Sequence, residues 1–412
     1  MRFSVRALLV LICSCGLSGF ARAANFTPAD DGNQPSYKLL LTPQRLRRLQ
    51  RDRERQTIRW EDFDARVQSS PDSPERGFEL ALYYAVTHEE ASGRAAVQWG
   101  LGHACDRRQA ALILDWCRTL LTAAQRDRLA NASCGRGAAK SSARSEWQAL
   151  RDRVYLAIAT GQSNLGLPAN GLKAELAEFA QGGFHDPQAL YALCELIDGL
   201  RINGQDDIRK QLPEFFMRLP AEFLLAMKPA QLEQPGWEAP IAALALVGID
   251  PNLQASQFLQ GWAIEGRQLV QEGPGVAYEF LWGDPYLPGI SFENLDPWYY
   301  AQEGRLFART TWEPDACWVE IEPGGKLDQS QCPAGWMDKT AQFGRMQMIP
   351  LTAQCAQVPV IQNGSAAILW TRKAGQKVTA RMGKKTIVRQ TDSSGLLQVP
   401  TEISGKVCVS NR

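Results

Sequence analysis

Histidine is scarce in this chain of 412 residues, which contains three: His88, His103 and His185. A transition-metal site built from several imidazoles is therefore not expected, and no cysteine pair has the spacing of a zinc motif. Neither sign of charge is in excess, with 45 Lys+Arg against 44 Asp+Glu. The chain thus has no broad field to attract nucleic acid or a membrane, and a polyanionic ligand would have to meet a local basic cleft. No metal and no cofactor is expected.

The sequence also has no apolar run of the roughly 20 residues that a membrane-spanning helix needs. The apolar stretch Ala7–Phe20 has about 14 residues, follows two arginines and precedes the small-residue segment Ala21-Arg22-Ala23. This arrangement is typical of a signal peptide, here residues 1–23 with cleavage after Ala23. We expect a periplasmic or secreted protein whose mature chain has no transmembrane helix. Its oligomeric state stays open.

Cysteine usage agrees with export. Ten cysteines occur; Cys13 and Cys15 lie in the leader and leave a lipoprotein as an alternative. The other eight form two sets of four, Cys105, Cys117, Cys134 and Cys194, then Cys317, Cys332, Cys355 and Cys408. In an exported chain this favours disulfides within each set. Because Cys117 and Cys194 lie in apolar helical patterns, buried thiols are the alternative there.

Residues 24–272 are predicted to form a helical domain. The first helix begins with Thr42 as N-cap and Pro43 at the first position and continues to Val67. Its arginines alternate with acids, which favours a solvated face over a nucleic-acid site. Helical periodicity recurs over 76–87, 91–101, 107–121, 123–131, 145–159, 172–181, 188–201, 205–217, 221–227, 239–247 and 255–270. Because no repeat of fixed period is visible, we favour an incomplete α/α toroid over a solenoid.

The chain changes character after residue 272. Residues 273–303 are rich in Gly, Pro and aromatic side chains and are predicted to be a linker. Short alternating segments follow at 305–311, 317–321, 344–349, 366–372, 377–382, 385–390, 395–399 and 406–409. They predict an antiparallel β-sandwich over residues 304–412. The expected class is therefore a multidomain α+β protein.

Three segments resemble the heparinase II/III-like family of polysaccharide lyases, within the chondroitin AC/alginate lyase-like group. They are LTPQRLRRLQ at the entry helix, RQAALILDWCRTLLTAAQRDRLA at 108–130, and YEFLWGDPYLPG at 278–289 with GRLFARTTWEPDACWVEIEPGG at 304–325. The last pair is similar to the family's aromatic W-x-DP linker and its first β-domain strands. The resemblance covers about residues 37–330 and implies the toroid-plus-sandwich fold.

The resemblance also implies a reaction, because these lyases cleave uronate-containing polysaccharides by β-elimination. That chemistry needs a group that neutralises the carboxylate and groups that move a proton. The segment 182–200 is similar to the family's glycine-led motif and assigns proton transfer to Tyr191 and His185, with Asp186 at the substrate. Arg144 or Asn164 is then expected to face the uronate carboxylate.

Three functions stay open. The first is an eliminative lyase that uses these residues. The second is a non-catalytic glycan-binding protein on the same fold, because segments 141–164 and 324–336 lack the histidines that the family carries there. The third is a helical scaffold that recognises another envelope protein.

Overall fold

The computed structural model describes residues 36–69, 72–103, 106–131, 146–167, 171–179, 186–205, 207–265, 273–301, 304–351, 355–358, 360–361, 365–382, 385–400 and 403–409. The predictions about the leader and its cysteines lie outside these residues and stay predictions. Within them, no helix has both the length and the apolar character needed to cross a membrane. Residues 36–412 cluster as one compact unit.

The first part of the described chain is helical. Its helices are α1 (Pro43–Glu54), α2 (Ile58–Ser69), α3 (Arg76–Thr87), α4 (Glu90–Gly102), α5 (Arg107–Trp116), α6 (Ala123–Ala130), α7 (Glu146–Thr160), α8 (Leu172–Phe179), α9 (Pro187–Ile202), α10 (Ile208–Gln211), α11 (Pro213–Ala226), α12 (Pro229–Glu233), α13 (Glu238–Ile249), α14 (Gln254–Glu265) and α15 (Gly275–Trp282). Helices α3, α4, α6, α7, α9 and α13 begin and end within two residues of their predicted bounds.

Several helical predictions need correction. The helix predicted over 107–121 ends at Trp116, and the one predicted over 205–217 is interrupted at Leu212, between α10 and α11. The long entry helix is divided into α1 and α2, because Gln56 takes a left-handed conformation (φ 49°) between them. The joint predicted after residue 217 lies inside α11, which continues through Pro220. The segment predicted as a linker contains α15, whose residues Gly275–Trp282 are all buried and pack in the helical core.

Seven helices contact one another in a closed order. The order is α2, α3, α5, α7, α9, α13 and α15. Each helix contacts the next one, and α15 contacts α2. We call these helices the ring. Helices α4 and α14 pack outside it, against α3 and α13 respectively. Buried apolar residues of all seven helices belong to one continuous core.

Strands occupy the remainder of the described chain. They are β1 (Trp298–Ala301), β2 (Arg305–Arg309), β3 (Trp318–Ile321), β4 (Leu327–Ser330), β5 (Ala341–Phe343), β6 (Met346–Pro350), β7 (Cys355–Val358), β8 (Ala366–Trp370), β9 (Lys377–Met382), β10 (Lys385–Gln390), β11 (Leu396–Gln398) and β12 (Gly405–Val409). Three four-stranded sheets have the orders β1-β2-β3-β4, β11-β8-β6-β5 and β10-β9-β12-β7. The prediction of purely antiparallel pairing is wrong for β6 and β8, which pair in parallel.

Side-chain alternation arranges these sheets in layers. In the β1–β4 sheet, Phe307 and Trp318 belong to the helical core, whereas Leu306 and Val319 face the second sheet. In the second sheet, Ile368 faces the first sheet and its neighbour Leu369 joins the core of the third. The order of layers is therefore ring, first sheet, second sheet and third sheet. The observed class is α+β, as expected.

The second cysteine set pairs as predicted, within its own part of the chain. Cys317 bonds Cys332, and Cys355 bonds Cys408. Disulfides of this kind are typical of oxidising compartments. Cys117 and Cys194 are free and buried, so the alternative of buried thiols is correct for these two. Cys105 and Cys134 lie outside the described residues.

Candidate functional site

One end of the ring is a cavity where the starts of six helices meet. We call it the cleft; its volume is about 200 Å³. Helices α5 and α9 begin there with Asp106 and Asp186 as N-caps, whose carboxylates accept backbone N–H groups. The cleft is lined by Glu75, Asp106, Arg108, Gln148, Arg151, Pro187, Gln188, Tyr191, Trp237, Glu238, Ile241 and Tyr278.

Glu195 lies beneath the cleft and joins its polar groups. Its side chain is fully buried and accepts from Arg108 Nη2 (2.7 Å), Arg151 Nη1 (2.8 Å) and the Tyr191 hydroxyl (2.7 Å). Burial alone would raise the pKa of Glu195, but the two guanidinium groups hold it below its usual value. The two arginines and the carboxylate thus form a satisfied buried network, which is the arrangement that buried charges require.

Tyr191 is fixed in a state that keeps its proton. Its hydroxyl donates to Glu195 and accepts from Trp282 Nε1 at 3.0 Å. Burial, and then the negative charge of Glu195, raise the pKa of Tyr191 well above its ordinary value. A tyrosinate would be needed for proton abstraction, and this surrounding opposes it.

The predicted site residues lie in different places. Tyr191 lines the cleft, and Asp186 lines a neighbouring cavity of about 440 Å³ that also includes Asp328 of β4. Asn164 is exposed in the turn after α7, where its side-chain oxygen accepts from Gly166 N. Asn164 follows the end of α7, whereas Gln148 and Arg151 line the cleft from its start. The structure therefore brings Tyr191 and Asp186 near one another and not Asn164. His185 and Arg144 lie outside the described residues.

The opposite end of the ring opens into a larger groove of about 1010 Å³. We call it the arginine groove. The ends of α9, α13 and α15 contribute to it, and α1 runs along it. It is lined by Thr42, Pro43, Gln44, Arg45, Arg47, Arg48, Arg51, Asp52, Arg55, Arg201, Ile202, Gly248, Ile249, Pro251, Trp282, Asp284, Tyr286 and Leu287. The lining of the groove thus includes six arginines and two acidic residues.

Some of these arginines cap helix ends. Arg48 Nη2 donates to Leu281 O (2.6 Å) of α15, and its Nη1 pairs with Asp284 at 3.1 Å. Arg201 reaches Ile249 O (3.4 Å) at the end of α13. Burial, and then the neighbouring Arg59, lower the pKa of Arg48 to about 10. Cations are favourable at the carbonyl end of a helix, so these residues have a structural role.

Three other arginines are not used in this way. Arg47 and Arg51 of α1 and its C-cap Arg55 recur every fourth residue, and none of them makes an ion pair with a described residue. Tyr286, on the loop after α15, lines the same groove with 72 % of its surface exposed. The groove therefore offers uncompensated positive charge beside an exposed aromatic ring.

The sequence interpretation missed this groove. The acids between the arginines favoured a solvated face without a binding role, but Asp52 is buried and paired with Arg59 (3.0 Å). The signal was the spacing of Arg47, Arg51 and Arg55, which places all three on one helical face. The spacing alone could not predict that this arginine face lies beside the ends of α9, α13 and α15.

The cleft and the groove are joined through Trp282. Its ring lines the groove beneath the Arg45 guanidinium (4.3 Å), and its Nε1 donates to Tyr191 in the cleft. Among the described residues, no group of three or more His, Cys, Asp or Glu side chains is placed to hold a metal ion. The sequence matches no family model and no curated protein.

Proposed function

We propose that the protein binds an acidic, uronate-containing polysaccharide in the arginine groove and does not cleave it. The observation that carries the proposal is the face formed by Arg47, Arg51 and Arg55 beside the exposed ring of Tyr286. Carboxylates of a polyuronate pair with guanidinium groups, and the faces of its sugar rings stack on aromatic side chains. A groove open to solvent suits a polymer that extends beyond it at both ends.

The eliminative alternative finds less support. Tyr191, to which the family resemblance assigns proton transfer, is hydrogen-bonded on both sides and has a raised pKa. The arginines of the cleft are paired with Glu195, so neither is free to neutralise a substrate carboxylate. Binding without cleavage is the function that fits both ends of the ring.

The proposal includes the fold and the location. An α/α toroid is supported by the closed contact order of the ring helices, and a β-sandwich by the layered sheets. Export is supported by the two disulfides and by the leader predicted from the sequence. A protein of this kind would meet polysaccharide outside the cytoplasm.

Affinity electrophoresis in gels containing alginate, hyaluronate or neutral dextran tests the proposal. We expect retardation by at least one uronate polymer and none by dextran. Replacing Arg47, Arg51 and Arg55 with Gln should weaken binding about tenfold, because three partly exposed ion pairs are lost. Added salt should weaken the parent more than the variant.

The matched control replaces Arg94, Arg118 and Arg153, which are exposed and line neither the groove nor the cleft, with Gln. It removes the same charge and should bind as the parent does. Equal retardation of the parent and the groove variant would refute the proposed site. Ultraviolet absorbance from an unsaturated product in the same mixtures would refute binding without cleavage.

A further inference from the structure

The cleft has an aromatic wall made by the rings of Trp237 and Tyr278. Trp237, just before α13, keeps 36 % of its surface exposed. Its ring lies 5.9 Å from that of Tyr278, tilted by 31°, and both rings line the cavity. Tyr278 is buried, so Trp237 provides the accessible edge of this wall. An indole at the rim of a polar cavity suits the face of a sugar ring or a cation.

The charges of the cleft are the reverse of those in the arginine groove. Every guanidinium nitrogen of Arg108 and Arg151 is bonded to Glu195, Glu75 or Asp152. Among the described residues, these two cations are accompanied by the acidic side chains of Glu75, Asp152 and Glu195, which bond to them, and of Asp106 and Glu238, which line the same cleft. The partial positive charges at the starts of α5 and α9 are already met by their N-caps. An anionic ligand would meet negative charge here, whereas a cationic ligand would be favoured.

The size of the cleft limits the ligand. At about 200 Å³ it is smaller than the roughly 300 Å³ at which pockets for drug-sized ligands begin. The neighbouring cavity of about 440 Å³ shares Pro187, Gln188 and Glu238 with it and extends to Asp328. One ring can occupy the cleft while its substituents continue toward the sheets.

We propose that the cleft binds an amino sugar, with the sugar ring against Trp237 and the ammonium group toward the carboxylate of Glu238. This site is separate from the arginine groove and takes a ligand of opposite charge. It does not depend on the proposed function, because different residues line it.

Titration of the full chain with glucosamine, glucose and glucuronate, followed by tryptophan fluorescence and calorimetry, tests this site. We expect glucosamine to bind best, glucose less well and glucuronate at least about tenfold more weakly than glucosamine, because its carboxylate faces the acids of the cleft. Trp237→Ala should abolish binding of both glucosamine and glucose. Glu238→Gln should weaken glucosamine severalfold and leave glucose unchanged.

Two control variants separate this site from the groove and from general damage. Glu233→Gln removes an exposed carboxylate at the end of α12 and should bind glucosamine as the parent does. Tyr286→Ala should weaken alginate binding and leave glucosamine binding intact. Absence of glucosamine binding, tighter binding of glucuronate, or full retention of glucosamine binding in Trp237→Ala or Glu238→Gln would overturn the inference.

Discussion

Asp115 ties the start of the described chain to the ring. Its Oδ2 accepts from the backbone N–H groups of Lys38 (2.8 Å) and Leu39 (2.9 Å), and the next residue, Trp116, donates Nε1 to Leu39 O (2.9 Å). These two residues belong to one of the segments that resemble the lyase family. In this chain their contacts hold residues 37–41 in place, so the segment has a structural role whatever the activity of the protein.

The same carboxylate makes stability depend on pH. Burial raises the pKa of Asp115 to about 6, although two backbone donors oppose the shift. An unfolded aspartate has a pKa of about 3.9, so between these values the folded protein holds a proton that the unfolded chain releases. The free energy of unfolding should therefore fall as pH rises from about 4 to about 6, by about 3 kcal/mol from this group.

Asp115→Asn should remove this dependence, because the amide oxygen still accepts the two N–H groups and never ionises. Urea unfolding at a series of pH values measures the effect. Relative to the parent, the variant should gain up to about 3 kcal/mol between pH 4 and pH 6 and then stay level. A constant difference between the two proteins over this range would contradict the assignment.

At the scale of elements, the sequence predicts what local periodicity specifies. Helix α9 carries apolar residues at helical spacing together with the N-cap Asp186 and Pro187 at its first position, and its bounds follow from these signals. Strands β1, β4, β5 and β7 were not predicted, because each has three or four residues and shows too little alternation of apolar and polar side chains. Strand β7 pairs with β12, which is distant along the chain, whereas β1, β4 and β5 each pair with a strand adjacent in sequence. The break between α1 and α2 likewise depends on one backbone conformation at Gln56.

Gly261 permits a close contact between α14 and the loop at Ile290. The backbone of Ile290 crosses α14 at Gly261, where Ile290 N donates to Gln257 O (2.9 Å). A Cβ at residue 261 would collide with the carbonyl oxygen of Ile290, which is backbone and cannot move without its segment. Gly261→Ala should therefore destabilise the protein by about 1–3 kcal/mol, as overpacking commonly does.

Gly102→Ala is the matched control for this contact. A Cβ at Gly102, near the end of α4, meets no described atom within 4 Å. Alanine has the higher helix propensity, so this change should be neutral or stabilising by up to about 1 kcal/mol. Thermal unfolding of both variants decides the matter: a similar loss of stability in each would mean that the contact with Ile290 is not the cause.

At the scale of the whole molecule, the candidate sites could be predicted only in part. The segment with Asp186 and Tyr191 does line the two connected cavities, because one helix start carries both residues. Glu195 and its partners come from α5, α7 and α9, and the groove joins Arg48 to Asp284, 236 positions apart. The sequence shows each residue but not the ring that brings them together.

Buried side chains of the first sheet attach it to the helical core. Phe307 and Trp318 enter the helical core, and Trp318 Nε1 donates to Leu225 O (2.7 Å) of α11. Two arginines lie on the same face of β2 as Phe307. Arg305 pairs with buried Glu320 (2.8 Å), whereas Arg309 lies over Trp312 (4.5 Å), and its Nε and Nη1 have no hydrogen-bond partner among the described residues.

Methionine at these two positions should therefore have unequal effects. Arg305→Met breaks the buried ion pair with Glu320 and should cost about 3–5 kcal/mol. Arg309→Met loses a cation–π contact worth about 1 kcal/mol and a long hydrogen bond from Nη2 to Met227 O (3.4 Å). It also removes a buried charge whose pKa burial lowers to about 9, so its cost should stay below about 1 kcal/mol. Urea unfolding followed by both circular dichroism and tryptophan fluorescence measures the two costs. The transitions followed by the two methods should coincide, because the ring and the first sheet share one core. An equal cost at both positions would show that Arg309 stabilises the fold as strongly as Arg305 does.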